Sequence, residues 1–158
     1  RILMNIISNA VKYNKEKEIL LSYYETQEDD VSIEGMRILL AEDNELNMEI
    51  AEFLLTNAGA EIIRASNGKE AVEAFAKSGV GEVNVILMDI MMPVMDGLEA
   101  TREIRTMNRS DASAVVIIAM TANAFAEDKS KALKAGMDDY LTKPLESEKL
   151  IRALSRFL

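Results

Sequence analysis

The stretch Val83-Asn-Val-Ile-Leu-Met-Asp-Ile-Met-Met-Pro93 decides the fold of this chain. Its first six residues are apolar except for Asn84, and Asp89 follows them directly. A short run that is apolar at nearly every position is typical of a strand buried on both faces of a parallel sheet. The stretch therefore predicts a buried strand, residues 83–88, followed at once by a carboxylate and a loop.

Four similar runs surround this stretch and alternate with amphipathic helical segments. The predicted strands are residues 38–41, 61–65, 83–88, 114–119 and 139–142. One helix should bury Leu46, Ile50, Phe53 and Leu54 on one face, and the last helix should bury Leu150, Ile151, Leu154, Phe157 and Leu158. Five strand–helix units predict an α/β, flavodoxin-like, doubly wound five-stranded parallel sheet of order 2-1-3-4-5 over residues 36–158.

Residues 1–35 have a different character from the rest of the chain. Ile2, Leu3, Ile6, Ile7 and Val11 recur at helical spacing, and residues 19–24 resemble a strand. One helix and one strand cannot bury enough apolar surface to fold alone. We therefore expect a helix–strand appendage over residues 1–35 that packs against residues 36–158 or against a second copy of the chain.

The composition excludes several classes of function. The 158 residues carry 27 acidic and 18 basic side chains, a net charge of −9, which disfavours nucleic acid and anionic membranes as partners. There is no Cys and no His, so thiolate zinc sites and Ser-His-Asp chemistry are impossible. No apolar run approaches the ~20 residues of a membrane span, and we expect a cytoplasmic protein without membrane contact.

Polar side chains stand at the carboxyl ends of the predicted strands. Glu42 and Asp43 follow the first strand, Asp89 the third, Thr121 the fourth and Lys143 the fifth. Ligands of open α/β sheets bind at this edge, where the strand order reverses between strands one and three. Clustered carboxylates need a compensating charge, which a hard cation such as Mg²⁺ and the ammonium of Lys143 can supply. This set suits phosphoryl transfer, with Asp89 as the nucleophile candidate.

These motifs together resemble the response-regulator receiver domain of two-component signalling. The matching pieces are Glu42-Asp43, Leu87-Met-Asp-Ile-Met-Met-Pro93, Met95-Asp-Gly97, Ala119-Met-Thr-Ala-Asn-Ala124 and Lys143-Pro144, with Tyr140 at the family's aromatic switch position. The segments Asn44-Glu-Leu-Asn47 and Thr121-Ala-Asn-Ala124 are most similar to receivers of hybrid histidine kinases.

The resemblance implies a role for each site residue. Asp89 would accept a phosphoryl group, with Mg²⁺ bound by Asp43, Asp89 and the Met91 carbonyl and with Glu42 holding a metal-bound water. Lys143 and Thr121 would contact the phosphoryl oxygens, and Thr121 with Tyr140 would relay the state to the surface around the last helices. The donor would be a phosphohistidine on a kinase or phosphotransfer protein, because this chain has no His. A homodimer is left open, and no independent enzyme is expected beyond self-phosphorylation and dephosphorylation.

The segment Arg1–Asn14 resembles the N-box helix of the histidine-kinase ATPase domain. In that family the residues corresponding to Asn5, Asn9 and Lys12 contact Mg²⁺ and ATP phosphates. The Asp-x-Gly-x-Gly motif and the glycine-rich lid of that family do not follow here. We therefore expect residues 1–35 to be a partial kinase-like segment without ATP affinity.

Two other functions are alternatives to a receiver. A Mg²⁺-dependent aspartyl-phosphate hydrolase of the haloacid dehalogenase type would need a second Asp two residues after Asp89, where Met91 stands. A flavodoxin-like cofactor binder would need a phosphate loop after the first strand, where Glu42 and Asp43 would repel a phosphate. The receiver remains the favoured hypothesis.

Overall fold

Five parallel strands form one sheet in the order β2-β1-β3-β4-β5. The structure is a computed structural model that describes residues 32–123 and 125–157. The strands are β1 (Arg37–Ala41), β2 (Glu61–Ala65), β3 (Val85–Asp89), β4 (Val116–Thr121) and β5 (Asp139–Thr142). This confirms the predicted flavodoxin-like topology. Residues 1–31 of the expected 1–35 appendage, including Asn5, Asn9 and Lys12, lie outside the described residues.

Five helices connect or follow the strands. They are α1 (Glu45–Asn57), α2 (Gly68–Lys77), α3 (Gly97–Arg105), α4 (Ala126–Ala135) and α5 (Ser147–Ser155). The first three begin at Asn44, Asn67 and Asp96, whose side chains each accept a hydrogen bond from the backbone N–H three residues later. These caps satisfy N–H groups that a helix N-terminus otherwise leaves unpaired.

Each face of the sheet is covered by its own hydrophobic core. Val85 and Leu87 of β3 point into the core that contains α1 and α5, and Ile86 and Met88 point into the core that contains α2, α3 and α4. Successive strand residues face opposite sides of a sheet, so a central strand needs apolar residues at every position. This is why residues 85–88 read as an uninterrupted apolar run.

Two strands begin two residues later than the sequence predicted, and they end one residue (β3) and two residues (β4) later. Asn84 lies before β3, where its side chain accepts a hydrogen bond from the Arg37 backbone N–H at 2.7 Å. Ala114 and Val115 lie in a turn, with their N–H groups bonded to the Asp111 carbonyl at 3.1 and 2.8 Å. The turn at residues 111–115 therefore keeps Ala114 and Val115 out of β4, whereas Asn84 bonds to Arg37 through its side chain and its backbone N–H just before β3 begins. As a result Asp89 and Thr121 are the last residues of β3 and β4, rather than the residues after them.

The predicted apolar faces of two helices were wrong in part. Leu46 is 40% exposed in the first turn of α1, whereas Met48, Ile50, Ala51, Leu54 and Leu55 are buried there. Phe157 is 37% exposed because α5 ends at Ser155 and the chain leaves the helical stripe. Helical periodicity thus predicted the buried face in the middle of each helix, but it was wrong for residues at or beyond the helix ends.

The core of the described part reaches back to Ile33, which is fully buried against the α1 side of the sheet. The Gly35 N–H donates to the Gly59 carbonyl at 2.9 Å. Gly59 has φ +95°, and a Cβ there would lie 2.9 Å from the Glu34 Cα. The approach of residues 33–36 and the left-handed backbone both require glycine at this position. The boundary between residues 35 and 36 stays a prediction.

Candidate active site

The carboxyl ends of β1, β3 and β5 bring together four charged side chains. Glu42 follows β1, Asp89 ends β3, and Lys143 follows β5. Carboxylate oxygens of Glu42, Asp43 and Asp89 all lie within 4.8 Å of one another. The predicted meeting of the two acidic groups where the strand order reverses is therefore observed.

Lys143 joins the two buried carboxylates of this cluster. Its ammonium lies 2.6 Å from Glu42 Oε2 and 3.0 Å from Asp89 Oδ2. The Glu42 and Asp89 side chains are only 3% and 7% exposed, and that of Lys143 is 22% exposed. The Lys143 backbone is also fixed, because its N–H donates to the Thr121 carbonyl at 2.8 Å. Burial of both partners makes these ion pairs much less screened than surface pairs.

The cluster contains three carboxylates and one ammonium group, and the pKa values of Asp89 and Lys143 are shifted accordingly. Burial raises the pKa of Asp89 to about 6, which the charge of Lys143 opposes and that of Glu42 assists. The backbone N–H of Met91 bonds to the Asp89 carboxylate and also favours its ionised form. Burial alone would lower the pKa of Lys143, but its hydrogen bond to Glu42 and the charge of Asp89 leave that pKa raised. The cluster thus holds one cation among three acids, and burial makes Asp89 easier to protonate than an ordinary aspartate.

The acidic cluster fits a hard divalent cation. Three carboxylates offer oxygen ligands, which Mg²⁺ prefers, and Asp43 is exposed so that the cluster opens to solvent. A bound cation would also offset the excess negative charge. The donor set therefore matches the predicted metal-binding residues Glu42, Asp43 and Asp89.

The loop after β3 presents Met91 and Val94 to solvent beside the cluster. The Met91 side chain is 80% exposed. The Met95 N–H donates to the Pro93 carbonyl at 2.8 Å across Val94, whose φ is +69°. This is a γ-turn in a conformation that is strained for a β-branched residue. Gly97 closes the loop: its N–H donates to the Ile90 carbonyl at 2.9 Å, and a Cβ there would clash with the Asp89 carbonyl.

The two predicted switch residues lie on β4 and β5, and their side chains contact residues outside the acidic cluster. The Thr121 hydroxyl donates to the Asn123 carbonyl at 3.1 Å and accepts from the Asn123 N–H at 3.2 Å. Tyr140 is half-buried on β5, with the Lys129 ammonium 4.3 Å from the centre of its ring. Neither side chain is bonded to the acidic residues in this state.

The structure adds residues that the sequence did not single out for these roles. Gly97 belongs to the Met95-Asp-Gly97 motif but had no predicted role in the site, and it is the place where α3 approaches the Asp89 backbone. Lys129 was not singled out at all. Its partner is eleven residues away on another element, and no periodicity or motif signals a contact of that kind. By contrast, motif and strand position were enough to find Glu42, Asp43, Asp89 and Lys143.

Comparison with known proteins agrees with this geometry. The family model of the response regulator receiver domain matches residues 38–155. The chain belongs to the response-regulator receiver family. It is a receiver of phosphorelay signalling, and the hydrolase alternative finds no support in these comparisons.

Similar receivers occur in hybrid histidine kinases. Hybrid signal transduction histidine kinase I of Dictyostelium discoideum is 38% identical over 143 residues, covering 86% of this chain. The sensor protein GacS of Pseudomonas syringae is 36% identical over 128 residues, covering 80% of it. This chain spans only 8% and 14% of the lengths of these two relatives.

Two solved structures are informative about the receiver site. The receiver domain of sensor histidine kinase PA1611 from Pseudomonas aeruginosa has a magnesium ion coordinated in its active-site cleft. It is 41% identical with a TM-score of 0.71, and the match covers 78% of this chain and 97% of that one. The receiver domain of the Saccharomyces cerevisiae response regulator Ssk1 was solved in complex with the histidine phosphotransfer protein Ypd1. That match has 31% identity and a TM-score of 0.69, covering 78% and 89% of the two chains.

None of the helices described within residues 32–123 and 125–157 is long and apolar enough to cross a membrane.

Proposed function

We propose that this receiver takes a phosphoryl group onto Asp89 from a phosphohistidine, in a reaction that requires Mg²⁺. The observation that carries the proposal is the convergence of Asp89, two further carboxylates and one partly buried ammonium at the carboxyl edge of the sheet. In the transfer, an Asp89 carboxylate oxygen forms a bond to phosphorus while the bond from phosphorus to the histidine nitrogen breaks. The imidazole leaves with the electron pair of that bond.

The chain's own residues position and neutralise the groups in this reaction. Glu42, Asp43 and Asp89, with the Met91 carbonyl, would hold Mg²⁺, which supplies positive charge for the phosphoryl oxygens. Lys143 already lies 3.0 Å from Asp89 and is placed to contact an oxygen of the attached group. Because phosphoryl transfer depends mainly on positioning and charge neutralisation, a rigid cluster of this kind supplies what the step needs.

The switch would follow from the new group. Thr121 would exchange its hydrogen bonds to Asn123 for one to the phosphoryl oxygens, and Tyr140 would move into the space that this opens. The surface around β5 and α5 would then report the phosphorylated state to a partner. The two conformations need to differ by only a few kcal/mol for one modification to change which is populated.

The donor would be a phosphohistidine on a phosphotransfer protein or on a kinase. Two observations support this partner: the Ssk1 receiver is solved with such a protein, and several curated relatives are hybrid signal transduction histidine kinases. The parent protein of this receiver would accordingly be a hybrid kinase. Leu46 and Met91 are exposed apolar side chains on elements next to the cluster, and they suit contact with a protein donor.

The test is phosphorylation of the purified chain by acetyl phosphate or a phosphohistidine donor with Mg²⁺. We expect one acid-stable, base-labile phosphoryl group by intact mass, which EDTA suppresses. Asp89→Asn should abolish it, whereas Asp128→Asn, a matched loss of a carboxylate on α4, should not. Equal labelling of the Asp89→Asn variant would show that another residue accepts the phosphoryl group.

A further inference from the structure

Helix α4 is held lightly along most of its length. Of its ten residues only Ala132 and Ala135 are buried, and both are small. The residue before the helix, Phe125, occupies the N-cap position, makes no side-chain cap hydrogen bond and is 69% exposed. Little apolar area is therefore removed from water where α4 packs, and a single additional contact has a large influence on its position.

The C-terminal end of α4 is fixed much more firmly. Arg105 at the end of α3 donates from Nε to the Gly136 carbonyl at 2.9 Å and pairs with Asp138 Oδ2 at 2.9 Å. The same Asp138 oxygen accepts from the Ile117 N–H at 2.9 Å, which ties this corner to β4. Movement of α4 is thus expected at its N-terminal half, where Lys129 lies.

The backbone of Tyr140 is held in the sheet, so a change of conformation at this residue involves its side chain. Its backbone pairs with Ala119 of β4, and its N–H donates to the Asp139 carboxylate at 2.8 Å. The Lys129 ammonium lies 4.3 Å from the ring centre, well inside the ~6 Å over which a cation and an aromatic face attract. If the ring turned inward towards Thr121, it would leave this cation behind.

Both switch side chains are therefore held by the segment that forms α4 or leads into it. Thr121 bonds to the backbone of Asn123, two residues before Phe125, and Tyr140 lies under Lys129. We propose that Lys129 is a positioning residue of the switch, and that its contact with the Tyr140 ring holds the ring outward in the unphosphorylated state. The inference rests on the proposed roles of Thr121 and Tyr140 and adds the element that restrains them.

The contact favours one of two conformations, so its removal shifts the population towards the other. Lys129→Met keeps the aliphatic stem and removes the charge, whereas Lys129→Arg keeps a cation that stacks on aromatic rings. We expect Lys129→Met to raise the population of the inward Tyr140 ring about threefold to tenfold without any phosphoryl group. Lys129→Arg should restore the wild-type population.

The measurement is NMR of the chain labelled with ring-¹³C tyrosine, in which Tyr140→Phe assigns one of four tyrosine signals. Beryllofluoride with Mg²⁺ marks the activated position of the Tyr140 signal in the wild type. The resting signal of Lys129→Met should lie between the two wild-type positions, and that of Lys129→Arg should coincide with the resting one. Lys134→Met, which removes an exposed lysine from the same helix, should also coincide with it.

The same samples separate this inference from the proposed function. If acetyl phosphate labels wild type and Lys129→Met, but their Tyr140 signals coincide at rest, the positioning role of Lys129 is wrong. It is also wrong if Lys134→Met shifts the signal as much as Lys129→Met does. If the wild type takes up no phosphoryl group, the proposed function fails, and the resting spectra alone decide whether Lys129 holds the ring.

Discussion

At the carboxyl end of the sheet, Glu42, Asp43 and Asp89 share the single cation of Lys143, whereas the arginines at the opposite end each have a carboxylate of their own. Three such arginines lie at the amino end among the described residues. Arg37 pairs with Glu61 and Glu82, Arg105 with Asp138, and Arg109 with Asp111. Each of these arginines therefore has at least one carboxylate partner at the amino end, whereas three carboxylates share one lysine at the carboxyl end.

The pKa shifts at the two ends have opposite signs for a physical reason. The bidentate hydrogen bond from Arg109, at 2.5 and 2.8 Å, lowers the pKa of Asp111 to about 2. Burial raises the pKa of Asp89 to about 6, because one lysine shared with Glu42 does not offset it. Stability is built where charges are matched, and a ligand or a phosphoryl group is accommodated where they are not. Three predictions test this comparison, beginning with the largest effect.

Removal of Arg109 from the amino end of the sheet should lower the stability of the whole protein strongly. Arg109 also donates to the Phe75, Ser78 and Gly79 carbonyls and stacks on the Phe75 ring at 4.2 Å. Arg109→Ala removes the guanidinium from these carbonyls and from the Asp111 carboxylate, which keeps the Gly81 N–H as a donor, and we expect the melting temperature to fall by roughly 10 °C. Arg152→Ala, which breaks an exposed pair on α5, should change it little. Equal losses in these two variants would remove the basis for the comparison.

At the carboxyl end, Asp89 should make the protein more stable as the pH falls, which is the opposite of the usual effect of a paired aspartate. Because the folded pKa of Asp89 is raised from 3.8 to about 6, the native state binds more protons than the unfolded state between these values. The wild type should therefore gain stability relative to Asp89→Asn as the pH falls from 7 to 4, by about 2 kcal/mol. Urea denaturation of both proteins at several pH values measures this difference.

Asp111 provides the matched control for this slope. Its folded pKa is lowered from 3.8 to about 2, so its contribution is present above the ordinary pKa and is lost as the pH falls through 2. The wild type should lose stability relative to Asp111→Asn on acidification. If both differences in the free energy of unfolding change with pH in the same direction, the electrostatic contrast between Asp89 and Asp111 is wrong.

The smallest expected effect is stabilisation by Mg²⁺, which would restore the charge balance at the carboxyl end. At a tenfold excess over its dissociation constant, a ligand of the native state raises the free energy of unfolding by about 1.4 kcal/mol. Protons compete for Asp89, so the apparent affinity should be about tenfold lower at pH 5 than at pH 7.5. Thermal unfolding with and without Mg²⁺ checks this, and Asp89→Asn should lose most of the effect. The same gain in Asp89→Asn would place the ion outside the cluster.

Sequence patterns were sufficient for the strand order and for the residues of the cluster. The run before Asp89 is apolar on both faces because β3 is central, and the acidic pair after β1 stands at the neighbouring strand end. Strand ends were less well predicted, because the turn at Asp111 keeps Ala114 and Val115 out of β4 and the Asn84 side chain bonds to the Arg37 backbone just before β3. Hydrophobicity does not encode such bonds.

The sequence by itself determined that this chain forms a five-stranded α/β receiver with Asp89, Glu42, Asp43 and Lys143 at one edge. It could do so because strand burial and strand ends are local properties, visible as apolar runs and the polar residues that follow them. Only the tertiary structure decided that Lys143 bonds to Glu42 as well as Asp89, that Gly97 lies against the Asp89 backbone, and that Lys129 covers Tyr140. These contacts join residues on different elements of the fold, and their distances depend on how helices and loops pack over the sheet.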